Sequence, residues 1–279
     1  AHDASASLAL GRDRTDLARA SHPSPAQHGC IAYGAREEQQ IEWFAPQTRD
    51  ARDQGRPMFA MLHGGWWQEG SIDDAGRYAQ IVTDAGGIHL SIGYTLAPHV
   101  TLGGILDEVA TAIDAIATHA EQLGGNPLRF VLGGHSAGAH LAAMLVTAGA
   151  GRVSDDVRGR ITGLMLISGV YDLAPIVESY VNDAVRMGEQ DALQLSPALF
   201  EPLRDIPVHV AVGAREPEEF HRNAALLTER WSPYLRDLAS VTIADRDHFD
   251  ILEEMDTPGG ALVAPLLRLL GLPVRGYDH

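Results

Sequence analysis

The chain has 279 residues, 45% of them hydrophobic and 21% charged, a length and balance that fit one large α/β domain with a continuous core. A formal net charge of −16 argues against nucleic acid or an anionic membrane surface as partner, and no apolar run reaches the roughly 18 residues of a membrane span. All 21 basic residues are arginine and Cys30 is the lone cysteine, which excludes a lysine Schiff base, a lysine-dependent phosphate loop, an internal disulfide and a thiolate metal cluster.

In chain order, residues 1–29 form a polar N-terminal segment rich in Ala, Asp, Arg and Ser, with a short helix expected over Asp13–Ala20 and a linker at Ser21–Pro25. Nothing in it suggests chemistry. Nor does it carry a basic-then-apolar leader, so a cytoplasmic enzyme is the default expectation. Residues 30–279 read as a single domain. Cys30–Tyr33 and Gln40–Phe44 alternate as two strands of a hairpin at a sheet edge, and Pro46–Arg56 is a charged loop. Pro57–Leu62 is a short apolar strand, Asp73–Ala85 a helix stopped by Gly86-Gly87, and Ile88–Gly93 the next strand. Ile105, Val109, Ile113 and Ile116 mark one face of a long helix closed by Gly124-Gly125-Asn126-Pro127. Strands follow near Phe130, at Ile161–Ser168, Val208–Val212 and Val241–Ala244, with helices at Pro217–Trp231 and Gly260–Leu270. After the hairpin, strands and helices alternate to the end. That order predicts an α/β fold with a mostly parallel central sheet and helices on both faces.

The strongest chemical signal is Gly134-His135-Ser136-Ala137-Gly138, a Gly-x-Ser-x-Gly turn between an apolar strand and a helical pattern of Ala137, Leu141, Met144, Leu145 and Ala148. In that context the serine sits on a sharp turn at a helix N-terminus, where the next backbone N–H and the helix dipole favour a developing negative charge. The competing explanation is an ordinary glycine-rich turn. Against it stands His63-Gly64-Gly65-Trp66-Trp67, directly after another strand. Its glycines free the N–H groups of Gly64, Gly65 and Trp66 to join that of Ala137 around an oxyanion.

A third loop, Gly213–Glu219, follows the Val208–Val212 strand and offers the carboxylate that a catalytic histidine needs. Glu216 comes first after the strand, with Glu218 its competitor, although acidic residues favour a first helical turn in any case. The last strand leads into Asp245-Arg246-Asp247-His248-Phe249-Asp250, which places His248 as general base. Position carries that choice, since the chain has 13 histidines. The aspartates of this loop do not match a calcium loop, and His63, His135 and His140 have no zinc-ligand spacing, so no metal is expected and these histidines shape loops or pack. A small lid region around residues 171–200 follows the next strand, with Tyr171, Tyr180 and Asn182 facing the pocket. His63, Trp66 and Trp67 complete the candidates for substrate contact, with core packing an equal claim on the tryptophans.

Gly-His-Ser-Ala-Gly, His-Gly-Gly-Trp-Trp and Asp-His-Phe, in this order, make the chain resemble α/β-hydrolases of the esterase and lipase superfamily. Within it the chain is most similar to kynurenine formamidases (arylformamidases), on Tyr33-Gly34, His63–Gly70, Ser168–Leu173, Tyr180–Asp183, Glu218–Arg222 and Asp247–Phe249. The resemblance runs from about Tyr33 onward. It implies an α/β-hydrolase fold, Ser136 as nucleophile, His248 as base, Glu216 at the position of the acid, and an oxyanion hole from Gly64–Trp66 and Ala137. One departure is that such enzymes usually carry aspartate where Glu216 stands. The expected activity is hydrolysis of a small aromatic amide or ester through an acyl-enzyme, foremost an aryl formamide like N-formylkynurenine, without cofactor. A short-chain carboxylesterase is the alternative, and a silent ligand-binding protein on the same fold the alternative of another class. The small-molecule substrate is the expected partner, and a homodimer is compatible with this reading.

Overall fold

In the computed structural model, which describes residues 4–47, 55–149 and 153–274, eight strands form one sheet in the order β1-β2-β4-β3-β5-β6-β7-β8. The strands are β1 (His28–Ala32), β2 (Gln40–Phe44), β3 (Arg56–Leu62), β4 (Ile88–Ile92), β5 (Gly125–His135), β6 (Ile161–Ile167), β7 (Val208–Gly213) and β8 (Leu238–Ile243). The β1–β2 and β2–β4 pairs are antiparallel, so the expected hairpin is the edge of the sheet, and every later pairing is parallel. Most of the expected 46–56 loop lies outside the described residues. The central strands are continuous apolar runs, such as Phe59-Ala60-Met61-Leu62 and Leu164-Met165-Leu166-Ile167, because helices cover both faces. Register places Leu62 beside Gly134, and Gly134 beside Leu166. The chains leaving β3, β5 and β6 therefore emerge together at one rim. Open parallel sheets build their sites at this rim.

Among the helices packed around the sheet are α1 (Ala4–Ser21), α2 (Ala79–Asp84), α3 (Leu102–Leu123) and α4 (Ala137–Leu145). The expected isoleucine and valine face of α3 is buried. Thr101 caps that helix by accepting from the Gly104 N–H at 3.2 Å, and Gly124 ends it in the left-handed region at φ 80°.

Two stretches depart from expectation. The 73–85 segment is not one helix but a 3₁₀ turn at Ile72–Asp74, another at Gly76–Tyr78, and then α2. The Asp73 carbonyl accepts from Thr15 Oγ1 of α1 at 2.7 Å, and Gly76 lies so close to Thr15 that a Cβ there would fall 2.5 Å from its methyl carbon. Tertiary contact thus overrides local helix preference. The second is α1 itself, 18 residues long rather than a short helix over Asp13–Ala20. Little apolar surface attaches it. Arg19 instead makes a two-pronged ion pair with the buried Glu42 of β2 (2.8 and 3.0 Å), Arg12 pairs with Asp74 at 2.9 Å, and Arg14 pairs with Asp256. Among the described residues no helix is long and apolar enough to cross a membrane.

Two fully buried histidines cross-link distant segments in neutral form. His89 donates from Nε2 to the Ala75 carbonyl at 2.8 Å, and His140 from Nε2 to the Leu195 carbonyl at 2.7 Å. Burial pushes both down to about 4. The unfolded chain therefore binds protons near the ordinary histidine value of about 6.5 while the folded one does not, and stability rises with pH between those limits. Each group is expected to remove up to about 1.4 kcal/mol per pH unit as pH falls through that window. The urea midpoint should accordingly drop between pH 6.5 and 4.5. His140→Gln, whose amide can keep the donor to Leu195, should make the drop shallower; an unchanged slope would refute this origin.

Candidate active site

Ser136 stands between the end of β5 and the start of α4 with φ 53° and ψ −117°, a conformation costly for any residue with a side chain. The flanking glycines are what permit it. A Cβ on Gly134 would lie 2.2 Å from the Gly138 carbonyl carbon, and one on Gly138 only 2.1 Å from the Leu62 carbonyl oxygen. The turn is thus pressed against itself and against the end of β3. Ala137 is the first residue of α4, so its N–H belongs to the helix donors that have no partner within the helix.

His248 comes to this rim on the loop after β8. Asp247 and Asp250 shape that loop: Asp247 Oδ1 accepts the Phe249 and Asp250 N–H groups at 2.9 and 3.1 Å, and Asp250 accepts the Asp247 N–H at 2.6 Å. These aspartates are therefore turn-builders, and among the described residues no group of three or more His, Cys, Asp or Glu could hold a metal. The His248 Nδ1–H donates to Glu216 Oε2 at 2.8 Å. Glu216 Oε1 accepts from the Gly213 N–H and from Ser168 Oγ, both at 2.6 Å. With its carboxylate wholly buried and each oxygen engaged, Glu216 fixes one imidazole tautomer and leaves Nε2 as the free acceptor. Glu218 is exposed in the first turn of the Glu218–Trp231 helix and makes no such contact.

Two neighbours hold His248 in place: His135, one of the histidines expected to shape loops, and Phe220, to which the sequence assigned no role. The His135 Nε2–H donates to the His248 carbonyl at 2.8 Å, and burial holds His135 well below the usual histidine range, so its ring is neutral. Phe220 packs on the imidazole with ring centres 4.2 Å apart.

Ser136 and His248 line one cavity of about 240 Å³, together with His63, Gly64, Gly65 and Trp66. The glycine loop is oriented from behind. The His63 Nδ1–H donates to the Gly64 carbonyl at 2.8 Å, and the His63 ring is stacked on Tyr94. That carbonyl shares a peptide plane with the Gly65 N–H, so holding the oxygen turns the N–H the opposite way. Gly65 has φ 106°, and a Cβ there would sit 2.3 Å from the Glu69 carbonyl oxygen, so glycine is required.

The remaining expected contacts are not brought to the cavity. Trp67 is fully buried in the core with its ring edge-on to His140, and Tyr171 is fully buried as well. Tyr180 is 81% exposed. Asn182 closes its own turn, donating to the Val177 and Met187 carbonyls at 2.9 Å and accepting the Met187 N–H at 2.7 Å. No residue between 171 and 200 lines the cavity; its outer wall is instead α1, through Leu8, Gly11 and Arg12. The sequence carried no local signal for this, because α1 is held by ion pairs to residues far along the chain.

A family model described as the alpha/beta hydrolase fold matches residues 59–200. The kynurenine formamidase of Salmo salar is 30% identical over 254 residues, covering 86% of this chain and 81% of that protein. That of Danio rerio is 28% identical over 246 residues, with the same coverages of 86% and 81%. A solved structure from Silicibacter sp. TM1040, provisionally named a thioesterase, superposes with a TM-score of 0.80 at 25% identity, covering 93% of this chain and 92% of that one. With Ser136, His248 and Glu216 gathered at the rim of such a sheet, the chain belongs to the α/β-hydrolase fold family, as a hydrolase of the kynurenine formamidase and esterase type.

Proposed function

We propose that this chain is a serine hydrolase that cleaves aryl formamides of the N-formylkynurenine kind through a formyl-enzyme. The observation that carries the reading is the Glu216–His248 pair, set at 2.8 Å, opening onto the same cavity as the strained Ser136. His248 Nε2 takes the Ser136 proton as Oγ attacks the formyl carbon. The oxyanion is met by the N–H groups of the Gly64–Trp66 loop and of Ala137, fixed before reaction by the His63 and Gly65 geometry. His248 then passes its proton to the leaving arylamine. Water, activated by the same imidazole, releases formate and frees Ser136. The likeness to the two fish kynurenine formamidases supports the formyl group as the acyl part.

Trp66, which lines the cavity beside Gly64 and Gly65, is the side chain placed to exclude an acyl group larger than formyl. An aryl formamide should exceed the matching acetanilide in kcat/KM by more than about tenfold, since a methyl in an apolar pocket is worth about 1–3 kcal/mol. The deciding test is direct competition between N-formylkynurenine and nitrophenyl acetate on purified protein. Preference for the formamide is expected. Turnover of the ester alone would replace the formamidase reading with a short-chain carboxylesterase, and turnover of neither would leave only ligand binding.

A further inference from the structure

Acyl transfer dictates which side of the catalytic cavity holds the leaving group. The oxyanion turns toward the Gly64–Trp66 loop and Ala137, while His248 has to hand its proton to the departing nitrogen. The leaving group therefore lies on the His248 side of the acyl carbon. The wall there is apolar. Phe249 and Leu252 follow His248 on the same loop and line the cavity, and Met61 lines it from the end of β3. The Phe249 ring stands edge-on to the imidazole with ring centres 5.3 Å apart.

The outer wall adds one more apolar side chain. Leu8, Gly11 and Arg12 share one face of α1, three and four residues apart, and this face closes the cavity. Leu8 is not what holds the helix. α1 buries the small residues Ser7, Gly11, Thr15 and Ala18 and is moored by its arginines, whereas Leu8 is 39% exposed. A single exposed leucine on an open surface is ordinary, but this one faces the cavity that Phe249 and Leu252 line. The charged groups of the lining are engaged elsewhere. Arg12 pairs with Asp74 at 2.9 Å, Arg77 pairs with the buried Asp256, and Glu69 is exposed to solvent. A charged part of a substrate would have to break an ion pair to be held, and a ring would not.

We propose that this site recognises its substrate by the aryl ring of the leaving group, which lies against Phe249 and Leu252 and is covered from outside by Leu8 of α1. The proposal rests on Ser136 and His248 being the reacting pair, and it deepens the formamidase reading. The substrate class is N-aryl formamides in general, with the amino-acid part of N-formylkynurenine left toward solvent. Leu8 is then a specificity residue supplied by the opening segment of the chain.

The test uses the full chain and two substrate pairs. The first is N-formylkynurenine against 2-formamidoacetophenone, which keeps the aryl ketone and lacks the amino-acid group. Their kcat/KM values should agree within about fivefold, and a larger preference for N-formylkynurenine would overturn the proposal. The second pair is 4-nitrophenyl acetate against trifluoroethyl acetate, which carry the same acyl group on an aryl and an alkyl leaving group. Leu8→Ala should lower kcat/KM for the aryl ester by about fivefold or more, mainly through KM, and leave the alkyl ester within about twofold. Leu8→Met, which keeps the volume, should recover the aryl preference. Melting curves establish that both variants are folded, as expected for a half-exposed position. Equal changes on the two esters, or none on either, would overturn the assignment of Leu8. The ester pair needs no formamide turnover. A fall in its aryl-to-alkyl ratio without any cleavage of formamides would keep the aryl subsite and remove only the formamidase reading.

Discussion

Ser136→Ala should lower kcat by about 10⁴-fold or more, leaving only what the oxyanion donors and binding contribute without a nucleophile. The loss is expected to be catalytic and not structural. Ser136 adopts φ 53° because of the turn around it, and the turn is enforced by backbone contacts of Gly134 and Gly138 that alanine at 136 leaves untouched. The Ser136 N–H donates to the Ile167 carbonyl at 2.9 Å, a bond that alanine also keeps. The melting temperature should therefore stay close to wild type while turnover vanishes. Substrate affinity should survive as well, which makes this variant suited to measuring ground-state binding. Turnover retained at even a tenth of the wild-type rate would remove Ser136 from the chemistry.

Glu216→Gln should reduce kcat by about 10³- to 10⁴-fold, the scale set by holding a histidine in the wrong tautomer. The carboxylate receives the Gly213 N–H and Ser168 Oγ–H on Oε1 and the His248 Nδ1–H on Oε2. A glutamine can keep its carbonyl on the first pair only by turning its NH₂ toward His248. Nδ1 must then accept, the proton moves to Nε2, and the nitrogen that should take the Ser136 proton is blocked. Nitrogen chemical shifts of the imidazole should report that exchange of tautomers, apart from the rate. Glu218→Gln, on an exposed residue in the first turn of its helix, should change kcat by less than about twofold and stability by a few tenths of a kcal/mol. If the two variants rank the other way, the Glu216–His248 hydrogen bond is not the one that matters in turnover.

What could be read in the residues divides along a physical line. The central strands, α3 and the serine turn were legible because they depend on local pattern: apolar runs, a heptad-like face, glycines at fixed offsets. Glu216 was legible as the first carboxylate after its strand and His248 by its place on the loop after the last strand, in the chain order serine, acid, histidine, and the hydrogen bond between them is 2.8 Å. What depends on distant partners was not. The 73–85 segment has the composition of a helix, yet Thr15 takes the Asp73 carbonyl and the segment breaks into two short turns before α2. The polar opening segment looked free of chemistry, but α1 is fastened by Arg12, Arg14 and Arg19 to carboxylates at 74, 256 and 42, and forms a wall of the cavity. Tyr171, Tyr180 and Asn182 were aromatic and amide groups in a plausible lid. Packing and a turn account for the first and last, and Tyr180 faces solvent.

The most direct experiment is covalent labelling. Purified protein treated with a serine-directed aryl phosphonate should gain the mass of one phosphonyl group per chain, and peptide mapping should place it on Ser136. Hydrolysis of N-formylkynurenine should fall in proportion to the labelled fraction, and Ser136→Ala should take up no label. A label on another residue, or full hydrolysis by protein labelled at Ser136, would contradict the proposed chemistry.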